Sequence, residues 1–151
     1  MEYFFNWLAL GISIIALLLT LYQMVTNKNR SRKQATIDAF NRLQTEVMDK
    51  VKNLPRKDVT QFKKYGPEVN WELWNTLTAY LARVEHFSVG INTKIYDIKI
   101  LNRLAGGYII SFYYRIKPII EKKRDLSQEK TPPYEEFELV KETLEKSRNP
   151  N

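Results

Sequence analysis

The chain has 151 residues, 44% of them hydrophobic and 27% charged, and a formal net charge of +7. That is room for one domain of modest size beside an anchor. The absence of cysteine excludes a disulfide framework, a thiolate metal site and a cysteine nucleophile, and fits a reducing compartment.

The first element is a membrane-span candidate. From Tyr3 to Thr26 no side chain is charged, and Leu, Ile and aromatic residues dominate. As a helix, Tyr3 to Val25 would be about 35 Å long at 1.5 Å per residue. A hydrocarbon core is about 30 Å thick, so the segment spans it with modest tilt. Tyr3, Phe4, Phe5 and Trp7 cluster at one end and Tyr22 near the other, the pattern of interfacial aromatics. A cleaved signal peptide would show a basic start, a shorter apolar run and small residues at its end. Here only Met1 and Glu2 precede the run, and Lys28, Arg30, Arg32 and Lys33 follow it. Those four cations predict an N-terminus outside and a cytoplasmic domain at the inner membrane.

Within this segment Asn6, Ala9, Ser13, Ala16, Thr20 and Gln23 recur at steps of three and four. The stripe holds every non-aromatic polar residue of the span. Small residues permit close backbone approach and the polar ones can hydrogen-bond across helices. The heptad-like period predicts association with other copies, or with another membrane protein.

Between Lys28 and Lys64 stand eleven Lys/Arg against four Asp/Glu. This excess of seven equals the whole net charge. Beside an apolar anchor it reads as charge facing anionic lipid headgroups, with Lys28, Arg30, Arg32 and Lys33 nearest the lipid. No nucleic-acid partner is expected. Asn27, Asn29 and Ser31 mark the expected bend of the helix. Ile37, Phe40, Leu43, Val47, Val51 and Leu54 then form the apolar face of an amphipathic helix ended by Pro55. The division is an anchor over 1–27, a basic juxtamembrane helix over 28–54 and a cytoplasmic helical domain over 55–151.

Arg56 to Asn70, with Gly66-Pro67, reads as a loop with one helical turn. Trp74, Leu77, Leu81, Val84 and Ser88 predict the next helix, with Gly90 just past its end and Ile91 making the capping contact. Asp97 is placed to cap a further helix with the stripe Ile98, Leu101, Ala105, Tyr108, Phe112 and Ile119. Gly106-Gly107 should mark close packing and Pro118 a kink. Thr131 should cap the last helix ahead of Pro132-Pro133, with Tyr134, Phe137, Val140 and Leu144 facing inward. Glu135, Glu136 and Glu138 complement its positive end, and Lys146 and Arg148 its negative end. The prediction is all-α: one transmembrane helix and a small helical bundle.

Chemistry is sparsely signposted. His86 has no second His or Cys at ligand spacing, so a surface or partly packed role is expected. Glu85 lies on the edge of an apolar stripe, where a carboxylate is paired or on the rim. Arg103 and Arg115 are its candidate partners in a structural ion pair rather than a catalytic pair. Gly106-Gly107 lacks the Lys-Ser/Thr of a phosphate loop. Tyr113-Tyr114-Arg115 could stack a base but more often packs. No catalytic residue, cofactor site or metal site is predicted. Trp71, Tyr80, Tyr113 and Tyr114 are expected to be exposed in excess of what one thin bundle buries.

The run from Tyr80 to Asn92, then Ile95-Tyr96-Asp97, Arg103-Leu104-Ala105-Gly106-Gly107 and Pro118-Ile119-Ile120, resembles a bacterial family of membrane-anchored helical proteins, domain of unknown function forty-seven sixty. The resemblance covers Thr36 to Arg124 and is specific from Tyr80 onward. It implies a single-pass anchor and a helical domain, and brings no catalytic residues. The functional expectation is a membrane-tethered interaction or assembly module, self-associating through its anchor. The alternative is an oligomerising membrane effector in bacterial stress or phage defence.

Overall fold

The computed structural model describes residues 2–128 and 130–149, and of residues 2–6, 8 and 9 the backbone alone. All regular structure among them is helical. Helix α1 (Glu2–Leu43) passes through a π-helical turn (Gln44–Met48) into α2 (Asp49–Lys52). Two short helices, α3 (Arg56–Thr60) and α4 (Phe62–Tyr65), and a 3-10 turn (Gly66–Glu68) follow. The long helices α5 (Trp71–Asn92), α6 (Ile98–Leu126) and α7 (Glu135–Arg148) complete the chain.

Helix α1 does not bend at Asn27, Asn29 or Ser31. It is helical throughout, about 63 Å at 1.5 Å per residue. With no Gly or Pro between Gly11 and Pro55, three polar residues are too weak a penalty to break it. Its two ends differ in burial. Every described side chain from Trp7 to Ser31 is exposed, whereas Thr36, Phe40 and Leu43 are buried in the domain. Val47 and Met48, adjacent in the wide π turn, are both fully buried.

The domain core forms where these residues meet α3 to α7. Val59 and Phe62, in the stretch read from sequence as a loop, are completely buried. The Phe62 ring lies 5.6 Å from that of Trp74. The predicted inward faces of α5 and α7, including Trp74, Leu77, Leu81, Val84, Phe137, Val140 and Leu144, are all buried. Helix α7 packs against both α5 and α6, while α3 and α4 pack against α6.

Helix boundaries depart from expectation in three places. Gly90 does not follow α5 but lies inside it, because its missing side chain admits the Tyr96 ring, and the left-handed residue of the turn is Lys94 (φ 63°). Helix α6 runs through Pro118, and its non-helical residue is Ala105 (φ −151°, ψ 15°), just ahead of the paired glycines. Helix α7 begins at Glu135, not after Thr131. Its N-cap residue, Tyr134, is left-handed (φ 64°) and offers no side-chain cap.

Candidate functional site

That missing cap is supplied by another helix. Glu85, half-buried on α5, accepts the backbone N–H of Glu136 at 3.0 Å and of Phe137 at 2.8 Å. The first N–H groups of a helix have no partner within it and carry its positive dipole end. A carboxylate satisfies both demands. Glu85 therefore has a structural role, but its partners are neither Arg103 nor Arg115. The start of α7 engages both carboxylate oxygens, and the guanidinium that acts on them is that of Arg124. Burial raises the Glu85 carboxyl above its ordinary value, opposed by the two N–H groups and Arg124. Arg124 ties the α6–α7 connection instead, donating to Pro133 O at 2.9 Å and pairing with Glu138 at 2.8 Å.

The two arginines predicted for Glu85 are elsewhere. Arg115 donates to the carbonyls of Val51 (3.2 Å) and Lys52 (2.9 Å) and to that of Leu54, closing the end of α2. Arg103 is exposed on α6, beside Asn102 and Ser147. Near it, Arg148 lies over Gly106 and Gly107, and donates to Asn102 O at 3.2 Å. The paired glycines thus admit a side chain from α7, not a helix backbone.

His86 is exposed and lines a shallow groove with Arg42, Glu46 and Arg83. There Arg83 pairs with Glu46 at 3.0 Å. Among the described residues no group of three or more His, Asp or Glu could hold a metal ion. Trp71 and Tyr114 are exposed as expected and Tyr80 is half-buried. Tyr113 is not exposed: only 2% of it is accessible, and its hydroxyl donates to Glu138 at 2.9 Å. Helix α7 covers it.

The small and polar stripe of α1 lies only partly within the described residues. The side chains of Asn6 and Ala9 lie outside the described residues, while Ser13, Ala16, Thr20 and Gln23 are exposed. Thr20 Oγ1 donates to Ala16 O, one turn back, at 2.8 Å. Its proton is used inside its own helix.

The most built feature is where α1 meets the domain. Of the four cations after the apolar run, Lys28, Arg30 and Lys33 are exposed. Arg32 instead turns into the domain, its Nη2 3.0 Å from Asp97 Oδ2. Asp97 also caps α6, accepting the N–H of Lys99 at 2.9 Å and of Ile100 at 3.3 Å. Thr36, fully buried, donates to Arg32 O and accepts the Asp97 N–H, both at 2.8 Å. Burial opposes the Asp97 charge, but Arg32 and the two N–H groups outweigh it and hold the carboxyl below its ordinary value. Arg32 Nε is buried without a hydrogen-bond partner among the described residues.

Beside this junction lies an open groove of about 430 Å³, formed by α1 and the α5–α6 turn. Lys33, Lys94 and Lys99 line it with Asn29 and the Arg32–Asp97 pair. Lys94 and Lys99 were not singled out in the sequence. Nothing local marks them, since they reach the groove only through the pairing of residues 32 and 97.

No curated protein and no solved structure matches this sequence. Residues 10–144 match the family described as Domain of unknown function (DUF4760), and with most of its length covered the chain belongs to that family.

Proposed function

We propose that this protein is a membrane-tethered helical assembly module without catalytic activity. In this reading α1 spans the inner membrane once, N-terminus outside, and holds the domain against the cytoplasmic headgroups. The observation that carries the proposal is the exposure of the apolar half of α1. Leu10, Leu17 and Val25 are 52%, 60% and 61% accessible, and among the described residues no domain element covers them. Soluble monomers rarely carry so large a continuous apolar surface, and a bilayer of about 30 Å covers a segment of this length. The cations that follow it favour the cytoplasmic side. A structural rather than catalytic role for Glu85, the half-buried carboxylate of α5, is supported by its two bonds to the start of α7.

The test is extraction and topology. The chain should stay with membranes in alkaline carbonate. Alkaline phosphatase fused after Asn151 should be inactive, and a fluorescent protein at the same place bright. Release by carbonate sinks the tether; an active phosphatase reverses the orientation.

A further inference from the structure

We infer that the groove between α1 and the α5–α6 turn is a binding site for the phosphate-bearing headgroup of an anionic lipid. The inference rests on the tether reading and deepens it. The sequence puts cations after the span, but it does not build a site. The fold does so by bringing Lys94 and Lys99, more than sixty residues later in the chain, beside Lys33.

Three observations point to this ligand. The first is charge. Lys33, Lys94, Lys99 and Arg32 share the groove, and its one carboxylate, Asp97, is engaged by Arg32 and by the start of α6. The three lysines are exposed, so the groove presents net positive charge to whatever enters it. A phosphodiester satisfies such a set through several ammonium donors at once.

The second is depth. Asn29 and Lys33 follow Val25 by four and eight residues, about 6 and 12 Å along α1. The headgroup layer extends about 5–8 Å beyond the hydrocarbon on each side. The α1 wall of the groove therefore begins inside that layer at Asn29 and continues just past it to Lys33, whose long side chain can reach back to the phosphates; the Arg32–Asp97 pair ties the α5–α6 turn to that edge.

The third is the turn itself. Between Lys94 and Tyr96 stands Ile95, 61% accessible. An isoleucine beside a lysine in a tight turn is poorly placed in water and well placed at a bilayer surface, where its side chain meets acyl chains while Lys94 meets phosphate. The turn has geometry as well as composition: Lys94 is left-handed (φ 63°), and the Tyr96 N–H bonds Gly90 O at 2.9 Å.

The experiment uses the full chain in neutral detergent. Native mass spectrometry would compare binding of phosphatidylglycerol with that of phosphatidylcholine. The test variant is Lys94→Asn with Lys99→Gln; asparagine removes the charge and tolerates a positive φ. The control is Lys57→Gln with Lys130→Gln, two exposed cations that do not line the groove. Wild type and control should prefer phosphatidylglycerol. The test variant should lose about fivefold in its affinity for phosphatidylglycerol per lysine removed, and less for phosphatidylcholine, whose choline balances its own phosphate.

Equal loss in the control would reduce the effect to net charge and overturn the inference. So would a test variant that keeps the preference, or a wild type that shows none. Inorganic phosphate added in excess separates the two sources of the same chemistry: it should compete weakly, and full displacement of lipid would make this a soluble-phosphate site. Carbonate extraction of the wild-type chain reads the tether separately. A wild type that stays in the membrane but shows no preference for phosphatidylglycerol removes the site and leaves the tether standing.

Discussion

Glu85 on α5 accepts the backbone N–H of Phe137, 52 residues later, at 2.8 Å, and so acts as the N-cap of a helix to which it does not belong. Local caps are readable because the acceptor lies within three residues of the donor. Here Tyr134 stands at the cap position in a left-handed conformation, and the cap comes through tertiary structure. Glu85→Ala should leave two N–H groups without acceptors and cost roughly 2 kcal/mol. Glu85→Gln keeps one oxygen and should cost about half of that. Chemical denaturation of the detergent-solubilised chain, followed by tryptophan fluorescence, measures both. Equal losses would show that the charge alone matters. Because burial raises the Glu85 carboxyl in the fold, the protonation-linked part of its contribution is present below the unfolded value of 4.5 and is lost as pH rises through the folded value; the two N–H bonds that the substitutions test remain at neutral pH.

The Arg32–Asp97 junction gives a pH dependence of opposite sign. Asp97 is held below its ordinary value of 3.8. Its contribution is therefore present above that pH and lost as pH falls from it through the lower folded value. Acid should loosen the α1–α6 junction in that window, and Asp97→Asn should remove this part of the acid response. Thr36→Val should cost about 1–3 kcal/mol at neutral pH, since it leaves the buried Asp97 N–H without an acceptor. Hydrogen exchange at the Asp97 amide checks it: unchanged protection in Thr36→Val would mean the hydroxyl contact is not what holds the turn.

Much of the bundle was legible because apolar side chains recur where a helix needs them. The stripes of α5, α6 and α7 were read residue by residue, and Asp97 was read as a cap because its acceptor lies two and three residues from its donors. What was not legible depends on distance in sequence. The Glu85 cap, the Arg115 clasp on the end of α2 and the Arg32–Asp97 pair join residues between 51 and 65 positions apart. Many surface cations look alike until the fold selects one. Val59 and Phe62 were missed because helices of four and five residues are too short to display a period, and Gly66-Pro67 suggested a loop. The candidate groove was half legible: its α1 side stood out as charge after an apolar run, and its other side did not.

Gly90 offers a test of packing beside that groove. A Cβ built on it would meet the Tyr96 ring at 2.5 and 2.6 Å. That ring is itself stacked on Phe87, with centroids 5.2 Å apart. Gly90→Ala gains helix propensity but forces the ring aside. The net cost should be about 1–3 kcal/mol, as for overpacked cores. A stabilised Gly90→Ala would show that Tyr96 moves freely, and that the turn is not anchored through its ring.

The hydrogen bond from Thr20 to Ala16 bears on how copies of α1 would meet. If copies of α1 associate through Asn6, Ala9, Ser13, Ala16, Thr20 and Gln23, the polar members need not contribute equally. A hydroxyl whose proton is already bonded within its own helix has less to gain from a neighbour than an amide projecting from the surface. Thr20→Val keeps the shape and removes that hydroxyl, so it should leave cross-linking between tagged copies near the wild-type level. Replacing Asn6, Ser13, Thr20 and Gln23 together by leucine should abolish it. The bulk closes the approach that the small residues allow, and the interhelical contacts, each about 0.6–2 kcal/mol, are lost together. Cysteine cross-linking in native membranes reads both variants, and the cysteine-free chain makes a single introduced thiol a clean reporter. Loss of cross-linking in Thr20→Val alone would place the hydroxyl in the interface after all. Cross-linking that survives the fourfold change would move the contact to another face of α1 or to the domain.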